Sequence, residues 1–209
     1  VDNRQEGPGK FLGHMKWKNS FSISREMVDD SKLLDLKSRP NNFVASYYRT
    51  RELFGAAIYA GAVSGQPTIK FRGREFSTLA ADSKPLFDTT HNAKVKVAAQ
   101  SNKFSNAFSN AILGAAETRM QGYKGENDEI LGVTPDTIVI PNEYKLKNDV
   151  FAAIGADKDP NTSNNGFNYQ FVRWNVIVWP YLNQFIDTSA ATVPWMLMDS
   201  KYHGEYGVY

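Results

Sequence analysis

The stretch from Pro85 to Pro141 constrains this chain more than any other. In order it holds PLFDTTHN, a polar linker, SNAFSNAILGAAETRMQGYKGENDEILG and VTPDTIVIP. Thr137 to Ile140 is an unbroken β-branched run closed by Pro141, and it reads as a central strand. Upstream, Phe104, Ala107, Phe108, Ala111, Ile112 and Ala115 recur at the spacing of one helix face. Gly122 and Gly125 are expected to stop that helix. A histidine-bearing turn precedes it and an acidic, glycine-punctuated loop follows. A chain with this order mixes helix and strand within one fold.

The flanking segments continue the alternation. Residues 1–20 are polar, and Lys10 to Lys18 alternates loosely through Phe11, His14, Met15 and Trp17, as a strand or hairpin arm would. Phe21 and Ile23 form a short strand-like pair. Ser24 is placed to cap a helix entered by Arg25, with Glu26, Asp29 and Asp30 near its positive end. Pro40 predicts a break near Ser38. A second, longer helix is expected after Asn41 or Asn42. Phe43, Tyr47, Phe54, Ile58 and Ala62 line it, Val44, Tyr48 and Ala57 widen the stripe, and Gly61 and Gly65 end it. Thr68 to Phe76 reads as a strand or hairpin punctuated by Gly73. Asn142 is expected to cap a helix through about Ala153, with Leu146, Val150 and Ile154 in line. Asp157 to Gly166 reads as a mobile surface loop. Phe171 to Trp179 alternates, with Val172, Trp174, Val176 and Val178 on one face of a half-buried strand. Trp195 to Met198 is a last strand.

Several function classes lose support. The chain has 209 residues, room for one large domain or two small lobes. Its net charge of +2 is far from the concentrated Lys and Arg of a specific DNA-binding domain. There is no cysteine, which excludes disulfides and cysteine-ligated zinc. No apolar run reaches the roughly 18–20 residues that span a bilayer. The opening VDNRQEGPGK has no signal-peptide core. It lacks an initial Met and reads as the inside of a longer chain. Aromatic residues make up 13% and crowd between Phe167 and Phe185, which points to surfaces needing large apolar side chains.

Few constellations carry chemistry. His91 follows Asp88 closely, as a general-base pair or half a metal site would; the alternative is a structural turn, since Asp, Thr and Asn cap turns readily. Glu126, Asp128 and Glu129 form an acidic cluster without the spacing of a calcium loop. Lys70, Arg72 and Arg74 alternate, so on one strand they would share a face. That face would meet DNA or an acidic neighbour, or simply solvent. No phosphate loop, nucleophile elbow, paired zinc ligands or dinucleotide fingerprint occurs, and no cofactor is expected.

Taken together, four segments resemble the Mu-like prophage major head family of tailed-phage major capsid proteins. They are PLFDTTHN with the helix and VTPDTIVIP that follow, FSISREMVDDS, ASYYRTRELFGAAIYAG, and TSAATVPWMLMDSKYHG. In the last of these, Ser200-Lys201 stands where that family commonly has proline. The resemblance implies a Hong Kong 97-like α+β capsid fold. Residues 1–20 would end an extended loop, 21–135 would form a peripheral domain with a spine helix, and 136–209 an axial domain. The N-terminal arm and the C-terminal return strands would be missing. It implies a structural, non-enzymatic shell subunit in the virion capsid, assembled in the bacterial host cytoplasm. Its partners would be copies of itself in pentamers and hexamers, scaffold and portal proteins, and packaged double-stranded DNA bound non-specifically. Tyr47, Tyr48, Trp179, Tyr181, Trp195 and Tyr202 are the candidate self-assembly residues, because contacts between subunits need aromatic anchors. An encapsulin-type compartment shell shares the implied fold. A small hydrolase or lyase using His91 and Asp88 is the alternative from another class.

Overall fold

The computed structural model describes residues 9–11, 13, 15–29, 33–92, 98–158 and 166–206. The described residues from 9 to 24 form no regular element, in place of the expected arm and strand pair, and His14 lies outside the described residues. Trp17 still finds a seat. Its ring lies 6.3, 5.8 and 6.0 Å from those of Phe54, Phe71 and Phe76. The first helix, α1 (Arg25–Asp29), is capped as expected, with the Met27 amide donating to Ser24 Oγ at 3.3 Å.

The next helix, α2 (Leu33–Val63), runs 31 residues, about 46 Å at the usual rise. Pro40 lies inside it, so the expected break near Ser38 and restart after Asn42 do not occur. An internal proline costs about 3 kcal/mol, but ending one helix and nucleating another also carries a penalty. Pro40 is exposed, so its ring disturbs no packed neighbour. At the other end Gly65 takes φ +70 and lets the chain turn out. Gln66 donates to the Gly61 carbonyl at 2.9 Å and Gly65 to that of Ala62 at 3.0 Å, the paired bonds of a Schellman ending. Gly61 does not end the helix. It lies within it, where a Cβ would collide with Ile69 Cγ2.

That close approach seats a hairpin on α2. β1 (Thr68–Phe71) and β2 (Arg74–Ser77) pair antiparallel, with Phe71 opposite Arg74. Arg72 at φ 49 and Gly73 at φ 79 make the two-residue turn that suits twisted strands.

Helix α3 (Asn110–Gln121) starts at Asn110, not near Phe104, because Ser109 Oγ accepts from the Ile112 amide at 3.2 Å and fixes the cap there. Its buried side chains are Leu113, Ala116 and Glu117, whereas Ala111 and Ala115 are exposed. Alanines hold too little area to choose a helix face. The two phenylalanines that completed the pattern pack elsewhere. Phe104 lies 3.8 Å beneath the Arg119 guanidinium, and Phe108 meets Trp195 edge-on at 5.0 Å.

The rest is built around β3 (Thr137–Ile140). Helix α4 (Tyr144–Gly155) carries the chain to β4 (Asn175–Val178), which pairs parallel with β3. After a 3-10 turn at Pro180–Gln184, β5 (Met196–Met198) pairs antiparallel on the other edge of β3, and α5 (Ser200–Tyr206) follows. The central-strand expectation for Thr137 to Ile140 holds. The α4 cap is Glu143, not Asn142, because its carboxylate reaches the Lys145 and Leu146 amides at 2.8 and 2.6 Å. Leu146, Val150 and Ile154 turn inward as expected. The alternating strand expected from Phe171 begins only at Asn175. Asn168 intervenes: its Oδ1 accepts from the Gln170 amide at 3.1 Å and draws the backbone into a turn. Residues 159–165 of the expected loop lie outside the described residues.

Core side chains divide on β3. Ile138 and Ile140 face Leu113, Leu146, Val150, Ile154 and Trp174. Val139 faces Ala56, Leu182 and Met196. The strand is covered on both sides, by α3 and α4 on one and α2 with the 3-10 turn on the other. No helix of the described residues is long and apolar enough to cross a membrane.

Two tests follow from this packing. Gly61→Ala should destabilise the chain by about 1–3 kcal/mol, since the added methyl overpacks the α2–β1 contact. Gly114→Ala meets only Gln170 Nε2, at 3.6 Å, and should stabilise α3 by up to about 1 kcal/mol. Urea unfolding followed by circular dichroism measures both. Asp136 supplies a pH test. Burial pushes its carboxyl up, but hydrogen bonds from Ser200 and Thr137 outweigh this and hold it below the ordinary carboxylate value. The depressed folded value contributes stability above the unfolded value, near 4, that is lost as pH falls through the folded one. Asp136→Asn should be less stable at neutral pH and lose less on acidification across that window.

Candidate assembly surfaces

The strongest candidate for chemistry is the turn at His91. Its two ring nitrogens are held on both sides, Nδ1 at 2.7 Å from Asp82 Oδ2 and Nε2 at 3.1 Å from Asn102 Oδ1. Asn102 cannot reverse, because its Nδ2 donates to the Leu86 carbonyl at 2.7 Å and its Oδ1 accepts from the Asp88 amide at 2.9 Å. Asp88, the partner expected from sequence, is turned away. Its carboxylate accepts from the amide and hydroxyl of Thr90, both at 2.9 Å, and these bonds hold it below the usual carboxylate range. The ring therefore pairs with Asp82, not with Asp88, and its nitrogens are engaged in bracing the loop. Among the described residues, no group of three His, Cys, Asp or Glu stands close enough to hold a metal ion.

Lys70, Arg72 and Arg74 do not share a strand face, because the tight turn reverses the chain between them. Lys70 pairs across the hairpin with Glu75, at 3.6 Å. Arg72 occupies the turn itself and donates to Thr50 Oγ1 at 3.0 Å. Arg74 lies over the Trp17 ring at 5.5 Å, on the opposite face from Lys70. A two-residue turn changes the phase of alternation, which a linear count cannot register.

The six aromatic candidates fall into two groups. Tyr47 and Tyr48 stand on the outer half of α2, each 58% exposed, with rings 5.5 Å apart. The other four are half-buried against their own chain. Trp179 meets Tyr59 edge-on at 5.8 Å and donates from Nε1 to Glu52 at 2.9 Å. Tyr181 packs beside Val139 and Leu182, Trp195 beside Phe108, and the Tyr202 hydroxyl donates to the Leu131 carbonyl at 2.8 Å.

Other exposed apolar residues were not singled out by sequence. Phe167, Tyr169 and Val172 project from the turn before β4, at 78%, 50% and 75% exposure. The crowding of aromatics after Phe167 was the available signal, but alternation assigned Val172 to a strand. Beside Ala116 and Met120 of α3 an apolar groove of about 300 Å³ is lined by Phe87, Phe104, Val193 and Trp195.

The chain therefore combines a buried apolar centre with exposed apolar side chains at its margins and no group of metal-ligating residues among those described. No curated protein and no solved structure matches the chain. A family model described as "Phage capsid protein" matches residues 15–209, nearly its whole length. The chain belongs to that phage capsid protein family, and it is a structural protein of the phage capsid.

Proposed function

We propose that this chain is a Mu-like major head subunit with a Hong Kong 97-like fold, building pentamers and hexamers that enclose double-stranded DNA. The single observation that carries this is the family match over residues 15–209. The mixed helix and sheet architecture agrees with it. In this reading residues 1–20 end an extended loop, 21–135 form the peripheral domain with α2 as spine, and 136–209 form the axial domain. Assembly takes place in the host cytoplasm with scaffold and portal proteins. Asp88 and His91 serve the turn and take no part in catalysis.

The margins of the fold support self-association. Val44, Tyr47 and Tyr48 on α2 are each more than half exposed, and Phe21 and Ile23 beside them nearly so. A monomer in water gains nothing from such a stripe, while a neighbouring subunit would bury it. Arg72 and Arg74 would contribute electrostatic contacts to DNA or to an acidic neighbour, and Lys70 would do so after exchanging Glu75 for that partner.

Size-exclusion chromatography with light scattering, then negative-stain microscopy of the peak, tests the proposal. Rings of five or six copies or closed shells are expected. A monomer and nothing larger from the full natural chain, even at high salt and under crowding, would sink it. Tyr47→Glu combined with Tyr48→Glu should shift the population toward small species by roughly tenfold or more, with the melting temperature unchanged. Each buried aromatic anchor is worth about 2 kcal/mol or more at a contact. A double variant that assembles like the parent would remove these two residues from the interface.

A further inference from the structure

Residues 167–172 carry their side chains inside out. Phe167, Tyr169 and Val172 face solvent, while Asn168 and Gln170 are 2% and 1% exposed. The buried polar pair is fully used. Asn168 Nδ2 donates to the carbonyls of Ala153 and Ala156 at 2.6 and 2.9 Å. Gln170 donates to Glu117 at 3.3 Å and accepts from the Trp174 indole at 2.5 Å. Glu117, buried on α3, also accepts from Arg173 at 2.7 Å and from the Tyr169 hydroxyl. The Arg173 guanidinium in turn lies 4.5 Å from the Tyr169 ring centre.

The backbone is strained at the summit. Val172 takes φ 57, a left-handed conformation that a β-branched residue rarely adopts. Strain of this kind persists only where its surroundings enforce it, and it concentrates at functional positions. Here a buried carboxylate and two buried amides hold a ridge of apolar side chains out in water. A loop needed only to connect α4 to β4 would do the reverse.

We propose that this ridge is a subunit contact, seated in the apolar groove of a second copy of the chain. The inference rests on the shell reading and names one of its contacts. Ridge and groove of one chain lie on different flanks of α3: Gly114, Glu117 and Gln121 face the network that anchors the ridge, while Ala116 and Met120, about 100° round the helix, line the groove. Knob and hole on different flanks of one helix make a heterologous contact. Such a contact leaves a free knob and a free hole in every pair, so it passes from copy to copy until a ring or shell closes it. The groove suits the ridge chemically, with aromatic and aliphatic walls and a volume of about 300 Å³.

Hydrogen exchange of the unaltered chain, assembled and dissociated, is the first test. Peptides over 167–172 and 192–197 should both exchange roughly tenfold or more slowly in the assembled form. Unchanged exchange at either one, in particles that do form, would overturn the proposal and leave the shell reading intact. Failure to assemble at all would overturn both. Cross-linking gives a second readout on a chain without native cysteine. Chains carrying Val172→Cys, co-assembled with chains carrying Ser105→Cys, should yield a mixed covalent dimer with a short bismaleimide. Thiols that both remain open to maleimide in the particle, without that dimer, would reject the contact.

Discussion

The fold depends on the burial of β3 from both sides. Ile138 and Ile140 enter one cluster and Val139 the other, so three consecutive residues link two otherwise separate apolar clusters. Each neighbour owes its position to that strand. β4 and β5 take its two edges, and α4 crosses between β3 and β4 because a parallel pair needs a long connection. Ala56 joins Val139, Leu182 and Met196, so α2 shares a cluster with the sheet. The small residues of α2 let the helix approach closely, and a Cβ at Gly55 would stand 3.5 Å from the Trp179 ring. Pro40 lies outside this buried half, where a lost backbone bond disturbs no packing.

A second organising element is polar. Glu117 is almost wholly buried on α3, yet it collects donors from Gln121, Tyr169, Gln170 and Arg173. A buried carboxylate left bare would cost several kcal/mol, so these donors are needed for it to exist there at all. Exchanging Glu117 for a packed apolar residue would remove that requirement and also release the segment 169–173. The network thus couples the helix before β3 to the turn before β4. His91 performs a similar service for its loop through Asp82 and Asn102.

What sequence could reveal follows from these two kinds of interaction. Runs that satisfy themselves locally were legible: the β-branched strand at Thr137, the hairpin around Gly73, the Ser24 cap and the inward line on α4. Departures arose where distant partners decided. The helix expected from Phe104 shifted because Phe108 was claimed by Trp195 and Glu117 by residues far along the chain. The strand expected at Phe171 was shortened because Asn168 captured the Gln170 amide. Arg72 and Arg74 looked like one face because a two-residue turn inverts the alternation that defines a face. Candidate interface residues were the hardest to read, since a half-buried Trp and an anchor look alike in one dimension. Only tertiary packing separates Trp179, held by Tyr59 and Glu52, from Tyr47.

The outer half of α2 brings these threads together. Helices gain most of their stability from packing an apolar face, not from propensity. Val44, Tyr47 and Tyr48 of this one are each more than half exposed, and Phe43 meets the ring of Phe21 at 5.7 Å. Its order therefore depends on being continuous with the buried half around Ala56 to Ala62, from which the helix propagates outward. A long helix anchored at one end is a lever. It carries Tyr47 and Tyr48 away from the half that Ala56 and the close Gly61–Ile69 approach hold in place. For a capsid protein this arrangement separates two demands on one element. The anchored half secures the fold, and the projecting half stays available to surfaces that exist only when copies meet.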